Sequence, residues 1–345
     1  MVHKFKMLLF SFFLFSCSNG DVYKDRIISE VKLNEVSRFE YEDGRAIRMT
    51  ADDSLIYISS SPDNTVRVFN YQGELCKTIG QKGEAPWENG SIWSFGKDAS
   101  SYWLHDYPKM ALKKYDATTD SLLKFRKFIT KHNVIFLQDN QFVVPHVDDE
   151  KGIFYISLYD AMKDSILKSV DICKLSARFE KLPPYGDFTF QGNLCKNSVG
   201  QSVFYCLYNS SFFFIDKNFS KVTHHYDIRN LPISEPIITN DWIKLNPDNA
   251  GILAGAMDEK YIYFVAPKYK GSKLNKKLKG ILIDVYDLNT KKYITSFESP
   301  KTAHKIGTIA KTNKGLVLGD YHGNIYVYDN SFMTEIEKIA KQKNL

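Results

Sequence analysis

The chain has 345 residues, is 14% aromatic, with 21 Tyr and 24 Phe, and carries a formal net charge of +6. That length accommodates one large domain or two small ones, the aromatic content favours strands over helices, and so mild a charge bias gives no argument for a nucleic-acid partner. None of the five cysteines forms a CxxC pair, so zinc-ribbon and thioredoxin-like chemistry have no support.

The first segment reads as an address rather than as part of a fold. Lys4 and Lys6 precede an apolar run from Met7 to Phe15 interrupted only by Ser11, which is too short for a spanning helix and suited to a secretory signal. It ends in Leu14-Phe15-Ser16-Cys17, followed by Ser18-Asn19-Gly20-Asp21. This resembles the lipobox of bacterial lipoproteins. The resemblance implies cleavage before Cys17, diacylglycerol and amide-linked acyl chains such as palmitate on Cys17, and stable membrane anchoring through several chains. Ser18 in place of Asp favours the outer membrane under that family's sorting rule. The expected organisation is a signal peptide over 1–16, an anchored linker over 17–25 and one folded unit over 26–345.

A short pattern then recurs six times: a β-type alternation ends in an aromatic or aliphatic residue followed by Asp or Asn and a polar turn. The copies are Phe69-Asn70, Tyr115-Asp116, Tyr159-Asp160, Ile215-Asp216, Tyr286-Asp287 and Tyr328-Asp329, at intervals of 46, 44, 56, 71 and 42 residues. Repeats of that length built from short strands predict an all-β, six-bladed β-propeller of four-stranded antiparallel blades in a closed ring. Blade one is assigned to 46–50, 55–59, 65–69 and 75–79; blade two to 92–95, 102–105, 111–115 and 122–128; blade three to 134–137, 141–145, 154–159 and 165–172. Blade four spans about 188–227, blade five about 251–297, and blade six runs from 306 into the carboxyl terminus. Residues 21–43 are expected to supply a closing strand, because joining the ends removes an exposed sheet edge. Residues 227–249, with Pro232, Pro236 and Pro247, read as a long connection. No stretch is assigned an amphipathic helix. The Asp or Asn of each corner is read as a turn former and the preceding ring as packing between blades. Cys76, Cys173, Cys195 and Cys206 are expected to be buried free thiols.

Three stretches carry a family resemblance: Leu55-Ile56-Tyr57-Ile58 leading to Asn64-Thr65-Val66-Arg67-Val68-Phe69, then Gly73 and Ile79-Gly80-Gln81-Lys82-Gly83-Glu84-Ala85-Pro86-Trp87-Glu88, and finally Gly319-Asp320-Tyr321-His322-Gly323-Asn324-Ile325-Tyr326-Val327-Tyr328-Asp329. They resemble the TolB-like and NHL-like six-bladed propeller lipoproteins of Gram-negative bacteria, with Trp87 standing where a glycine is usual. The resemblance implies a fold and an anchor rather than a reaction.

In this architecture the links between blades and the loops joining second to third strands gather on one face. Trp87, Glu88, His105, Tyr107, Asp320, Tyr321 and His322 are the candidate ligand-binding residues, since aromatic rings beside donors and acceptors orient a polar ligand. Asp106, His146, Asp148, Asp149, Tyr185, Asp187, Asp241, Trp242 and His304 fall in the same class of loop. His146, Asp148, Asp320 and His322 have the donor types of a metal site, but no HExxH motif or dense Asp loop accompanies them. There is no G-x-S-x-G elbow, G-x-G-x-x-G or P-loop motif, so no catalytic residue, cofactor or metal is assigned. Lys268, Lys270, Lys273, Lys276, Lys277 and Lys279 form a basic insertion within blade five that could meet an anionic surface. The function expected is non-enzymatic binding or scaffolding of an envelope protein or glycan; the rival is a hydrolase, lactonase or lyase with an acidic site at the channel mouth.

Overall fold

The structure is a computed structural model; it describes residues 23, 25–41, 46–60, 64–128, 130, 132–148, 150–179, 189–233, 237–238, 243–244, 250–268, 281–300 and 306–343. In chain order, β1 (Glu35–Glu40) is followed by blade one, made of β2 (Ala46–Ala51), β3 (Leu55–Ser60), β4 (Val66–Asn70) and β5 (Leu75–Ile79). Blade two holds β6 (Ile92–Lys97), β7 (Ser101–Asp106), β8 (Ala111–Asp116) and β9 (Leu122–Lys127); blade three holds β10 (Ile135–Phe136), β11 (Gln141–Asp148), β12 (Ile153–Asp160) and β13 (Ser165–Asp171). Blade four holds β14 (Gly192–Lys196), β15 (Ser202–Cys206), β16 (Ser211–Ile215) and β17 (Val222–Tyr226), and a short hairpin, β18 (Ile237–Ile238) with β19 (Ile243–Lys244), lies in the connection that follows. Blade five holds β20 (Ala254–Met257), β21 (Tyr261–Pro267), β22 (Ile281–Asp287) and β23 (Tyr293–Glu298). Blade six holds β24 (Ile306–Thr312), β25 (Gly315–Asp320) and β26 (Asn324–Tyr328), and its fourth strand is β1, paired antiparallel with β26.

Each blade is therefore a four-stranded antiparallel sheet. The innermost strands β2, β6, β10, β14, β20 and β24 touch in that order and β24 touches β2, so the six blades close a ring. Strands facing a neighbouring blade on both sides read as continuous apolar runs: every residue of β15, β16 and β25 is buried. The outer strand β9 alternates instead, with Lys124 and Arg126 among its residues.

All six Tyr-Asp-type corners end a third strand, in equivalent positions. Asn70 Oδ1 accepts from Gln72 and Glu74 N–H, Asp116 Oδ1 from Thr118 and Thr119, Asp160 Oδ1 from Met162 and Lys163, Asp216 Oδ1 from Ser220 and Lys221, Asp287 Oδ1 from Thr290 and Asp329 Oδ1 from Ser331. A second set of corners, between first and second strands, follows the same physics. Asp52, Asp98 and Asp258 each accept two backbone N–H groups, and Tyr57 and Tyr263 donate to the second carboxylate oxygen of Asp52 and Asp258. Both sets lie on one face, which leaves the opposite face to the links between blades.

Two expectations are corrected. After Asp329 the chain forms a helix, α1 (Phe332–Gln342), whose residues Phe332, Ile336 and Ala340 are buried at four-residue spacing against blades five and six. No fourth strand is needed there, because β1 already occupies that edge. Cys195 and Cys206 are buried free thiols, whereas Cys76 is exposed on β5.

Candidate functional site

The link between blades one and two is held from beneath. Lys109 Nζ donates to the carbonyls of Gly83, Ala85 and Glu88 at 2.9, 2.6 and 2.8 Å. Lys113 Nζ reaches the Glu88 carbonyl, Asn89 Oδ1 at 3.0 Å and Asp106 Oδ2 at 2.7 Å, with both charged side chains fully buried. Asp106 in turn accepts from Gly90 and Ser91 N–H, and the Tyr115 hydroxyl donates to the Trp87 carbonyl at 3.0 Å. Trp87, at the crest, is 59% exposed. The Glu88 carboxylate is spent within the loop, accepting from Ala85 N–H at 2.8 Å.

Inside this face opens the central channel, a cavity of ≈ 150 Å³ lined by the innermost strands of all six blades. Arg48, Ser94, Asn193, Ala254 and Thr308 pair with Ser59, His105, Tyr205, Val265 and Gly319. These five residues occupy one register position in their blades, and Asn133, two residues before β10, continues the row. The channel thus carries a ring of one residue per blade at its link-side end.

Around that ring the aromatic groups are ordered. The register slips by one residue at Trp93 in β6, and again between Ala46 and Arg48 and between Ile306 and Thr308. Such bulges re-aim a side chain. Trp93 stacks on Tyr107, with ring centroids 3.9 Å apart and planes at 15°, and the Arg48 guanidinium lies 5.6 Å from the Trp93 ring centroid. Burial pulls the Arg48 pKa down, opposed by the Tyr205 and Tyr321 hydroxyls. Tyr321 is 43% exposed and its ring covers Gly307, where an added Cβ would sit 3.4 Å from Cζ. Gly255 is required: a Cβ there would meet Tyr205 Cε1 at 2.7 Å, so any side chain would push the Tyr205 ring away.

The candidate residues therefore separate. Trp87, Tyr107, Tyr321 and His322 reach the link-side face. His105 and Asp320 do not, and the expectation for them is corrected. His105 is fully buried, edge-on to Phe128 at 5.5 Å, and burial depresses its imidazole pKa to about 4. Asp320 is 1% exposed and accepts from His322 and Asn324 N–H, the Asn324 side chain and the Tyr326 hydroxyl. It builds the loop that presents Tyr321. Glu88 is half-buried and engaged as described.

Asp148 pairs with Lys151 at 3.0 Å, and His146 Nε2 bonds Ser157 Oγ at 2.8 Å. Among the described residues no three His, Cys, Asp or Glu side chains form a metal-holding group, and no helix is long and apolar enough to cross a membrane. Cys17, Asp149, Tyr185, Asp187, Asp241, Trp242, His304 and the insertion lysines beyond Lys268 lie outside the described residues. Lys268 is ion-paired with Glu298.

No protein-family model and no curated protein matches the chain. Solved structures do. A protein described as exported, from Bacteroides fragilis NCTC 9343, is 15% identical with a TM-score of 0.56, over 89% of this chain and 96% of that one. A DUF4221 family member from Bacteroides vulgatus is 11% identical with a TM-score of 0.54, over 89% and 98%. The Pan2 WD40 domain of Neurospora crassa is 10% identical with a TM-score of 0.51, over the same shares. At these identities the likeness is one of fold, and the fold is a six-bladed β-propeller.

Proposed function

We propose that the protein is a lipid-anchored binding module of the cell envelope, of the TolB-like or NHL-like kind, which holds a glycan or protein partner on its link-side face. The observation that carries this reading is Trp87: a largely exposed indole on a loop fixed by Lys109, Lys113 and Tyr115. An aromatic anchor that is already ordered loses little entropy on binding, and Trp and Tyr dominate interface hot spots. Tyr321, also exposed, rises from a neighbouring sector because blades one, two and six adjoin. The Leu14-Phe15-Ser16-Cys17 motif and the exported description of one fold relative support the address.

The test is recovery of the membrane-anchored protein with whatever co-purifies. Trp87→Ala and Tyr321→Ala are expected to weaken retention by about 2 kcal/mol each if both are hot spots, with folding intact. Equal retention by both variants rejects this face and leaves the lysine-rich insertion as the alternative. Mass spectrometry of the same fraction should show an acylated Cys17 peptide; an unmodified mature chain beginning elsewhere rejects the anchor.

A further inference from the structure

The ring of one residue per blade leaves two demands that the protein itself does not meet. Asn133 and Thr308 line the channel and are each 6% exposed. Among the described residues, neither Asn133 Oδ1 nor Thr308 Oγ1 has a hydrogen-bond partner. A buried polar group left unpaired is unfavourable, and folded proteins keep few of them. The wall on one side is already joined: Ser94 Oγ accepts from Val134 N–H at 2.9 Å, and the Asn133 amide nitrogen donates to Asn193 Oδ1. Blades two, three and four are thus stitched together, with the Asn133 oxygen left over.

The two groups stand on opposite sides of the channel. The innermost strands touch in the order β2, β6, β10, β14, β20, β24 and back to β2. Asn133, just before β10, and Thr308, on β24, are therefore three blades apart, which in a ring of six is diametrical. A water held against one wall satisfies one of them; a molecule that satisfies both must cross the channel with polar atoms at both ends. The cavity of ≈ 150 Å³ is of the size that accepts one six-membered ring.

Chemistry selects among molecules of that size. Asn133 Oδ1 only accepts, whereas Thr308 Oγ1 both donates and accepts. Turning over both amides of the Asn133–Asn193 pair would leave the Asn133 nitrogen unpaired instead, and a hydroxyl answers either case. A peptide group carries one donor and one acceptor along a single line. Ser94, Asn133, Asn193 and Thr308 instead stand around the axis, in blades two, three, four and six. A disc with hydroxyls around its rim fits that arrangement.

We infer that the link-side end of the channel binds one neutral pyranose, the end unit of a glycan, with its ring across the channel and hydroxyls on opposite edges bonded to Asn133 and Thr308. This rests on the link-side face being the binding face and names the class of ligand that enters it. Trp93, stacked on Tyr107, and the Tyr321 ring over Gly307 border the same end and supply apolar surface for the C–H groups of a sugar.

The experiment is calorimetric titration of the purified full-length protein with the methyl glycosides of glucose, galactose, mannose and N-acetylglucosamine, and with glucuronate and triglycine. At least one neutral glycoside should bind, with an affinity that added salt leaves unchanged. Thr308→Val keeps the shape and removes a hydroxyl that bonds nothing in the protein. It should fold with an unchanged or higher melting temperature and bind that glycoside about threefold to tenfold more weakly, the scale of one neutral hydrogen bond. Asn133→Ala should weaken binding at least as much, because Asn193 Oδ1 also loses its donor. If no glycoside binds, or Thr308→Val binds as the parent does, the inference is overturned. Glucuronate binding without any neutral glycoside overturns it in favour of charge recognition, and triglycine binding alone overturns it in favour of a peptide. A partner held through Trp87 and Tyr321 would still stand in each of those cases, since neither is among the residues lining the channel.

Discussion

Arg26 reaches across 258 residues of sequence to a fully buried ion pair with Asp284, Nε to Oδ1 at 3.0 Å and Nη2 to Oδ2 at 2.5 Å. Arg26 also donates to the Pro267 carbonyl at 2.6 Å, and Ser296 Oγ donates to Asp284 at 2.6 Å. Just beyond, Ile28 bridges Ser296 in parallel and Ser29 N–H reaches the Ser296 carbonyl at 2.8 Å. The same segment then becomes β1. One stretch of chain thus covers the outer edge of blade five and completes blade six, so the strand that closes the ring is pinned by a side chain in the adjacent blade.

Removing one member of that pair leaves a buried charge. Arg26→Ala and Asp284→Ala are each expected to lower stability by ~3–5 kcal/mol, read as a fall in urea midpoint at unchanged slope. Burial raises the Asp284 pKa even with Arg26 beside it, so the pair itself contributes little beyond pinning. The double variant Arg26→Met with Asp284→Leu should therefore be more stable than either single alanine variant. A double variant as unstable as the singles contradicts this account.

His105 gives the protein an acid sensitivity. Burial holds its pKa at about 4 in the folded state against 6.5 unfolded, so the unfolded chain binds more protons between those values and stability rises with pH there. The contribution is complete above about pH 6.5 and is lost as pH falls towards 4, in total ~3 kcal/mol. His105→Phe should flatten the stability profile in that window by this amount relative to the parent. Parallel profiles would show that His105 does not titrate as described.

The blade repeat was legible because each corner needs the same side chain for the same turn, as at Asp116 and Asp329. Blade six also shows where that logic ends. A corner followed by polar residues implies a fourth strand only if the chain itself must supply one, and here residues 35–40 do so. The run Phe332-Met333-Thr334-Glu335-Ile336 was therefore free to be helical, and its spacing of Phe332, Ile336 and Ala340 is the signal that was available. The channel ring was hidden for another reason. Its members differ in type and stand 22, 22, 27, 23, 33 and 21 residues before their corners, because hairpins of unequal length intervene. Only once the blades are aligned on the corners do Arg48, Ser94, Asn133, Asn193, Ala254 and Thr308 fall into one row. His105 and Asp320 were misplaced by a neighbouring effect: the end of a second strand is still core, and exposure begins two residues after His105, at Tyr107, and one residue after Asp320, at Tyr321.

Helix α1 seals the seam between blades five and six through Ile336, which is fully buried among residues that include Phe297 and Phe332. Truncating it leaves a cavity as well as losing transfer free energy, so Ile336→Ala should lower stability by ~2–5 kcal/mol. Lys338, on the solvent side, is the control: Lys338→Ala should change stability by less than about 0.5 kcal/mol. Equal effects from the two substitutions would mean that the helix does not pack as described.

Lys196 lines the channel at the end of β14 away from the ring of Arg48 and Asn193. Burial alone lowers its amine pKa from 10.5 to about 8. Below about pH 8 the amine is charged in both states, and burying that charge opposes folding; the penalty fades as pH rises from 8 to 10.5, by ~3 kcal/mol in total. Lys196→Met keeps the stem and removes the charge, so it should raise stability at pH 7 by roughly 1–3 kcal/mol and abolish the rise in stability between pH 8 and 10.5. Urea melts of parent and variant at pH 7, 8 and 10 check both expectations. If Lys196→Met is destabilised at pH 7, the amine is stabilised by contacts other than its bond to the Phe136 carbonyl.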